Sequence, residues 1–353
     1  MEKQKDENET IKQVHRHELP MGALGLAMHS DSTQLYVACM DGVYSLHAED
    51  GKSQLLYQHE SYASGVVFVH EYETLVSAGY DGALQWYDLR TREVIRHVQA
   101  HPTWSWDLAK AERAPVIATA GGQYLAGSYE YHPQAAAEPT VRVYDAIGGE
   151  LLASYEHLPP VQAVAISADG KRVGFGNLMG DVAVKGDRSF AWNTPDFTAF
   201  GIIKSHCQIG GIYAAAFADD DRLLVGGMGP MRDPMAGNGK QRWQCFDLSG
   251  SEPKKVAACK DGQVGEGLME TLTMHPDGDH FVMAGRLRGG SFNVGIFSLS
   301  TGDLVQSVKT GTRVTKALFS PDGSRLFLAG AKKQSADADK QFGVVDVYDI
   351  SLG

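Results

Sequence analysis

The sequence has 353 residues, 43% hydrophobic and 21% charged, a balance that belongs to a folded chain and not to a disordered one. Its 32 basic and 43 acidic residues leave a net charge of −11, which argues against coating a nucleic-acid backbone. No apolar run approaches the length of a membrane-spanning helix, and 40 glycines between short apolar runs point to many turns and short strands.

Residues 1–9 are polar and read as a disordered tail, with no apolar segment that would make a secretory signal, so the expected compartment of a full-length chain is the cytoplasm. A strand is predicted over 10–17 (TIKQVHRH). From there a hairpin signal recurs, two alternating apolar segments around a polar turn: HSDSTQ at 29–34, SADGKR at 167–172, FADDDR at 217–222, HPDGDH at 275–280 and SPDGSR at 320–325. A third segment follows each hairpin, often ending in aromatic-Asp, as in LQWYDL (84–89), VRVYDA (141–146), WQCFDL (243–248) and VDVYDI (345–350). Most units then add a fourth: SQLLYQH, EVIRHVQAH, LLASYEH, AFGIIKSH, KKVAACK and LVQSVKT. The aligned aromatic positions step by 40, 57, 41, 61, 51 and 51 residues, which makes seven units.

The last unit stops after its third strand, and the spare strand lies at the start of the chain. Pairing 10–17 with the strand near 343–350 closes a ring and removes both loose edges. The expected fold is therefore all-β, a seven-bladed β-propeller of four-stranded antiparallel blades filling residues 10–353 as one domain.

Unit 2, HESYASGVVFVHEYETLVSAGYDGALQWYDLR (59–90), resembles the WD-repeat β-propeller family, in a divergent bacterial-type form. The resemblance implies a structural hydrogen-bond set at His59, Ser77, Asp81 and Tyr87, spaced by 18, 4 and 6 residues. His101 and Thr119 keep the first spacing in unit 3, and the later units largely lose the set. These residues resemble a Ser-His-Asp triad in kind only, because a set fixed within a repeating blade serves the blade.

Within a propeller, the b-to-c and d-to-a connections share one face. Four b-to-c connections are long here: 121–139, 228–241, 286–293 and 331–342. Unit 4 carries its insertion elsewhere, at 186–197, where it is expected on the opposite face. Long connections in a compact fold are usually functional or disordered. The candidate partner-binding residues are Trp104, Tyr124, Tyr129, Tyr131 and His132 around unit 3, with Arg232, Arg286 and Arg288 as carboxylate-binding charge; the competing reading is that the aromatics pack the long loop onto its own blade.

The expected function is a protein-interaction platform with a protein or peptide partner, acting as a monomer, with no nucleic acid, membrane or cofactor. The alternative is a propeller enzyme, a metal-dependent hydrolase or lyase, with a site at the channel mouth around Asp107, Glu270 and His132. The innermost strands carry only Asp107, Lys110, Glu270 and Lys316 as charged residues, a thin set for a metal. His29, His70 and His275 recur at the ends of strand a, which suits turn capping. Cys39, Cys207, Cys245 and Cys259 form no C-x-x-C pair and read as buried or idle thiols.

Overall fold

The computed structural model describes residues 10–122, 138–157, 160–177, 180–193, 211–227, 242–260, 270–286, 291–333 and 342–352. They form seven four-stranded antiparallel sheets, and strand a of each blade packs beside strand a of the next until the seventh meets the first. Blade 1 runs from strand a at Ala23–Met28 to strand d at Ser53–Tyr57, and blade 2 from Ala63–Val69 to Glu93–Gln99. Blade 3 runs from Ser105–Lys110 to Leu151–Tyr155, and blade 4 from Val161–Ile166 to Phe190–Asn193. Blade 5 runs from Ile212–Asp219 to Lys254–Ala258, and blade 6 from Thr271–Met274 to Leu304–Val308. Blade 7 has strands at Arg313–Phe319, Arg325–Ala331 and Gly343–Ser351, and its fourth strand is Thr10–Leu19 from the other end of the chain. The closure pairing runs from Thr10 opposite Ser351 to Leu19 opposite Gly343.

Blade 4 departs from the expectation. Its strand d is Phe190–Asn193, paired with Asp181–Gly186, inside the segment read as an insertion on the opposite face. A short turn at Gly186 suffices to reverse the chain, and Phe190 and Trp192 supply the apolar positions of the strand. The segment AFGIIKSH lies outside the described residues. The surplus length of this unit therefore falls between strand d of blade 4 and strand a of blade 5.

The apolar core is divided. Seven clusters of buried side chains each lie between two neighbouring blades. Blades 1 and 2 share Tyr36, Val43, Val66, Leu75 and Tyr87; blades 7 and 1 share Leu19, Leu35, Leu46, Phe327 and Val345. In the seam between blades 2 and 3 the indole of Trp86, fully buried, donates to the Ala146 carbonyl of blade 3 at 2.8 Å.

The a-to-b turns are tied across blades. The Arg113 N–H donates to the Ala168 carbonyl at 2.7 Å, and its side chain pairs with Asp220 at 2.6 Å. The Asp169 N–H also donates to Asp220. His29 caps its own turn, accepting from the Asp31 N–H, and reaches Glu73 of blade 2; His275 meets the Gly323 carbonyl of blade 7. His70 sits in a one-turn 3-10 helix, its carbonyl accepting from Glu73.

Candidate functional site

Strand a begins the same way in most blades. The pairing of strands a and b slips by one residue between Ala23 and Gly25, Ala63 and Gly65, Ser105 and Asp107, Val161 and Ala163, Ile212 and Ala214, and Val314 and Lys316. The extra residue of each bulge is Leu24, Ser64, Trp106, Gln162, Tyr213 or Thr315, and a bulge re-aims the side chain it carries. Glu270 holds the matching place in blade 6, just before its strand a. All seven line one cavity of about 500 Å³ at the mouth of the central channel, on the face of the long connections.

A second level lies one residue further in, at Gly25, Gly65, Asp107, Ala214, Thr271 and Lys316. Here the blades touch. A Cβ on Gly25 would sit 2.7 Å from the Gly65 Cα, so only glycine allows the first two blades this approach. Asp107 accepts from the Val164 N–H of blade 4 at 3.1 Å and from its neighbour Leu108 at 3.0 Å, and Lys316 of blade 7 approaches it from across the channel at 3.4 Å. The Ala317 N–H likewise donates to Thr271.

Two features stand on the rim. One is aromatic. Trp104, 41% exposed, lies perpendicular to Trp106 with ring centres 5.2 Å apart. Tyr80 is 5.9 Å from Trp104 and 5.5 Å from Trp106, and the exposed Tyr62 packs on Tyr80. Trp106 donates its indole N–H to the Gly122 carbonyl at 2.8 Å. The other feature is ionic. Glu270 accepts from Arg286 Nε at 2.6 Å and from Arg313 Nη2 at 2.8 Å. Burial pushes the Tyr80 hydroxyl pKa up, while Arg313 pulls it down and Glu270 pushes it up, and all three residues line the same cavity.

Of the residues singled out in sequence, Trp104, Arg286, Asp107, Glu270 and Lys316 are brought together at this mouth. Tyr124, Tyr129, Tyr131, His132, Arg232 and Arg288 lie outside the described residues. Lys110 stands at the far end of strand a, its ammonium on the Ala111 carbonyl and its pKa lowered by burial. Sequence reasoning missed Tyr62, Tyr80 and Arg313. The signal was present: aligned on the bulge, Tyr62, Trp104 and Arg313 each fall two residues before it.

The blade 2 set is assembled around Ser77. His59 Nε2 lies 2.8 Å from the Ser77 hydroxyl and its Nδ1 3.0 Å from Asp81. Asp81 also accepts from the Glu60 and Ala83 N–H groups. The phenol on Ser77 is that of Tyr57, at 2.9 Å; Tyr87 is buried and stacks on Tyr57 with centres 4.7 Å apart. The His59 side chain is fully buried and Asp81 largely so, which makes the set part of the blade's own structure.

For the enzyme alternative, the two carboxylates of the mouth are already engaged, Glu270 by two guanidinium groups and Asp107 by two backbone N–H groups and Lys316. Among the described residues no three His, Cys, Asp or Glu side chains converge to hold a metal ion.

No protein-family model matches the chain, and no curated protein matches it in sequence. Among solved structures, a chain from the crystal structure of the mitotic checkpoint complex superposes with a TM-score of 0.69 at 17% identity, over 100% of this chain and 96% of that one. That likeness is one of fold: a seven-bladed propeller.

Proposed function

We propose that this chain is a protein-interaction platform, binding a protein or peptide partner over the channel mouth on the face of the long connections. In this reading it acts as a monomer in the cytoplasm, without a cofactor. The observation that carries it is the exposed aromatic group around Trp104 beside the Glu270 ion cluster. A partly exposed tryptophan just before strand a of blade 3, next to charge, is the composition of a binding hot spot and is costly to leave bare. The fold alone does not supply this argument, since propellers serve many tasks.

The test compares partners captured from native cells by the wild-type chain and by Trp104→Ala. A specific partner should bind at least about 1 kcal/mol more weakly to the variant, with the melting temperature little changed. A lowered melting temperature with unchanged affinity would make Trp104 a packing residue and remove the support for this face.

A further inference from the structure

We propose that the channel mouth is a receptor for an acidic peptide segment. An Asp or Glu side chain of the partner seats on Arg286, Arg313 and Lys316, and an adjoining large apolar side chain lies on Trp104, Trp106 and Tyr80. This rests on the reading of the face as an interaction platform and adds the chemistry of what it takes.

Charge gives the first argument. The chain as a whole carries −11, yet the charged residues lining the cavity are three cations and two carboxylates. The Glu270 side chain is only 13% exposed, beneath guanidinium groups that are 37% and 47% exposed, so the cations form the outer layer. Hydrogen-bonding capacity gives the second. A guanidinium has five N–H donors in a planar fork suited to carboxylates. Arg286 and Arg313 each place one on Glu270, and among the described residues that is the only carboxylate either one meets. The anionic partners of the mouth are the reverse: Glu270 and Asp107 already accept two and three hydrogen bonds. A basic ligand would find its acceptors taken and two arginines facing it; an acidic ligand finds donors.

Size and shape give the third. About 500 Å³ holds one or two side chains and not a folded domain, which selects an extended segment. The perpendicular Trp104 and Trp106 rings offer an apolar corner in the same cavity of about 500 Å³ that Arg286 and Arg313 line, so the acidic and apolar side chains must be near neighbours on that segment.

The experiment selects random peptides, displayed with blocked C-termini, on the purified chain. Enriched peptides are synthesised and titrated against wild type, Arg286→Gln, Arg313→Gln and Trp104→Ala. The expected result is enrichment of Asp or Glu beside an aromatic, Leu or Met residue. Affinity should fall at least about tenfold with either glutamine variant and weaken as salt is raised. Should a glutamine variant fail to fold, Glu→Gln in the peptide tests the same contact from the other side. Enrichment of Lys, Arg or purely apolar peptides that still lose affinity with Trp104→Ala would overturn the acidic chemistry and leave the platform reading standing. No enrichment, or binding indifferent to all three variants, would overturn both.

Discussion

His59 and His101 occupy the same place in consecutive blades, and their surroundings give them different consequences. A Cβ on Gly79 would collide with His59, and one on Gly121 with His101, so each ring lies across a glycine of strand b. His59 has Asp81 and Ser77 as partners. His101 has no aspartate at the matching place, where the sequence has Gln123, and the Thr119 hydroxyl bonds to Ser105. Asp81→Ala should leave the His59 Nδ1 and two backbone N–H groups without their acceptor and cost on the order of 1–3 kcal/mol in chemical denaturation. A loss below a few tenths of a kcal/mol would show that the set contributes nothing. His101 Nε2 lacks a partner among the described residues, and burial, helped by Arg142, lowers its pKa to about 4. The unfolded chain, with a histidine pKa near 6.5, then binds the extra proton between about pH 6.5 and 4. Stability from this residue is complete above that window and falls as pH drops through it, by on the order of 2–3 kcal/mol. His101→Phe should flatten the difference between denaturation at pH 7.5 and pH 4.5; an unchanged slope would assign the acid sensitivity elsewhere.

At the level of strands, the repeated bulge in strand a explains both what was legible in the sequence and what was not. Five of the a-to-b hairpins were legible because their turns carry Asp, often with Gly, between alternating apolar segments, a local signal. The ring closure was legible from the odd strand at each end. Strand d of blade 4 was not, since FAWN carries only two apolar positions and the longer apolar run AFGIIKSH follows it. The channel mouth was half legible. Trp104, Asp107, Glu270 and Arg286 stood out by residue type, but Tyr62 and Arg313 become members only when the blades are aligned on a bulge, a register feature that residue type does not announce, and Tyr80 only through the b-to-c turn that lays it on Trp104 and Trp106. The same register makes Gly25 critical. Gly25→Ala brings a Cβ to 2.7 Å from the Gly65 Cα and 3.1 Å from the Val66 nitrogen, backbone atoms that cannot turn aside. It should cost about 1–3 kcal/mol, whereas alanine at Gly250, which meets only backbone atoms at 3.7 Å or beyond, should cost far less. Equal melting temperatures for the two variants would disprove the close approach.

The whole molecule is held by seven seams and one closure. Thr10–Leu19 does more than cover an edge. Arg16 forms a two-pronged pair with the buried Asp346 and also donates to the Thr310 carbonyl of the neighbouring blade; His17 reaches the Ala48 carbonyl of blade 1 at 2.7 Å. Removing residues 1–18 should unpair the last strand and leave Asp346 without its cation, costing at least about 3 kcal/mol. Removing 1–8 should leave the melting curve unchanged, because the strand starts at Thr10. If both truncations melt together, the closure is not what holds the ring.

The ties among the a-to-b turns have a further result. Arg113, Asp169 and Asp220 join three consecutive blades, and His29 and His275 each join two. The cylinder is hooped at that end like a cask. A sequence graft at the hooped end must break a stave-to-stave joint, while one in the b-to-c connections of the open end has to keep a few described anchors, Tyr80 on Trp104 and Trp106 and Asn293 on Thr310 and Thr312. Randomised loops for engineered recognition therefore belong at the end with the tryptophans, where new contacts can be tried without loosening the vessel.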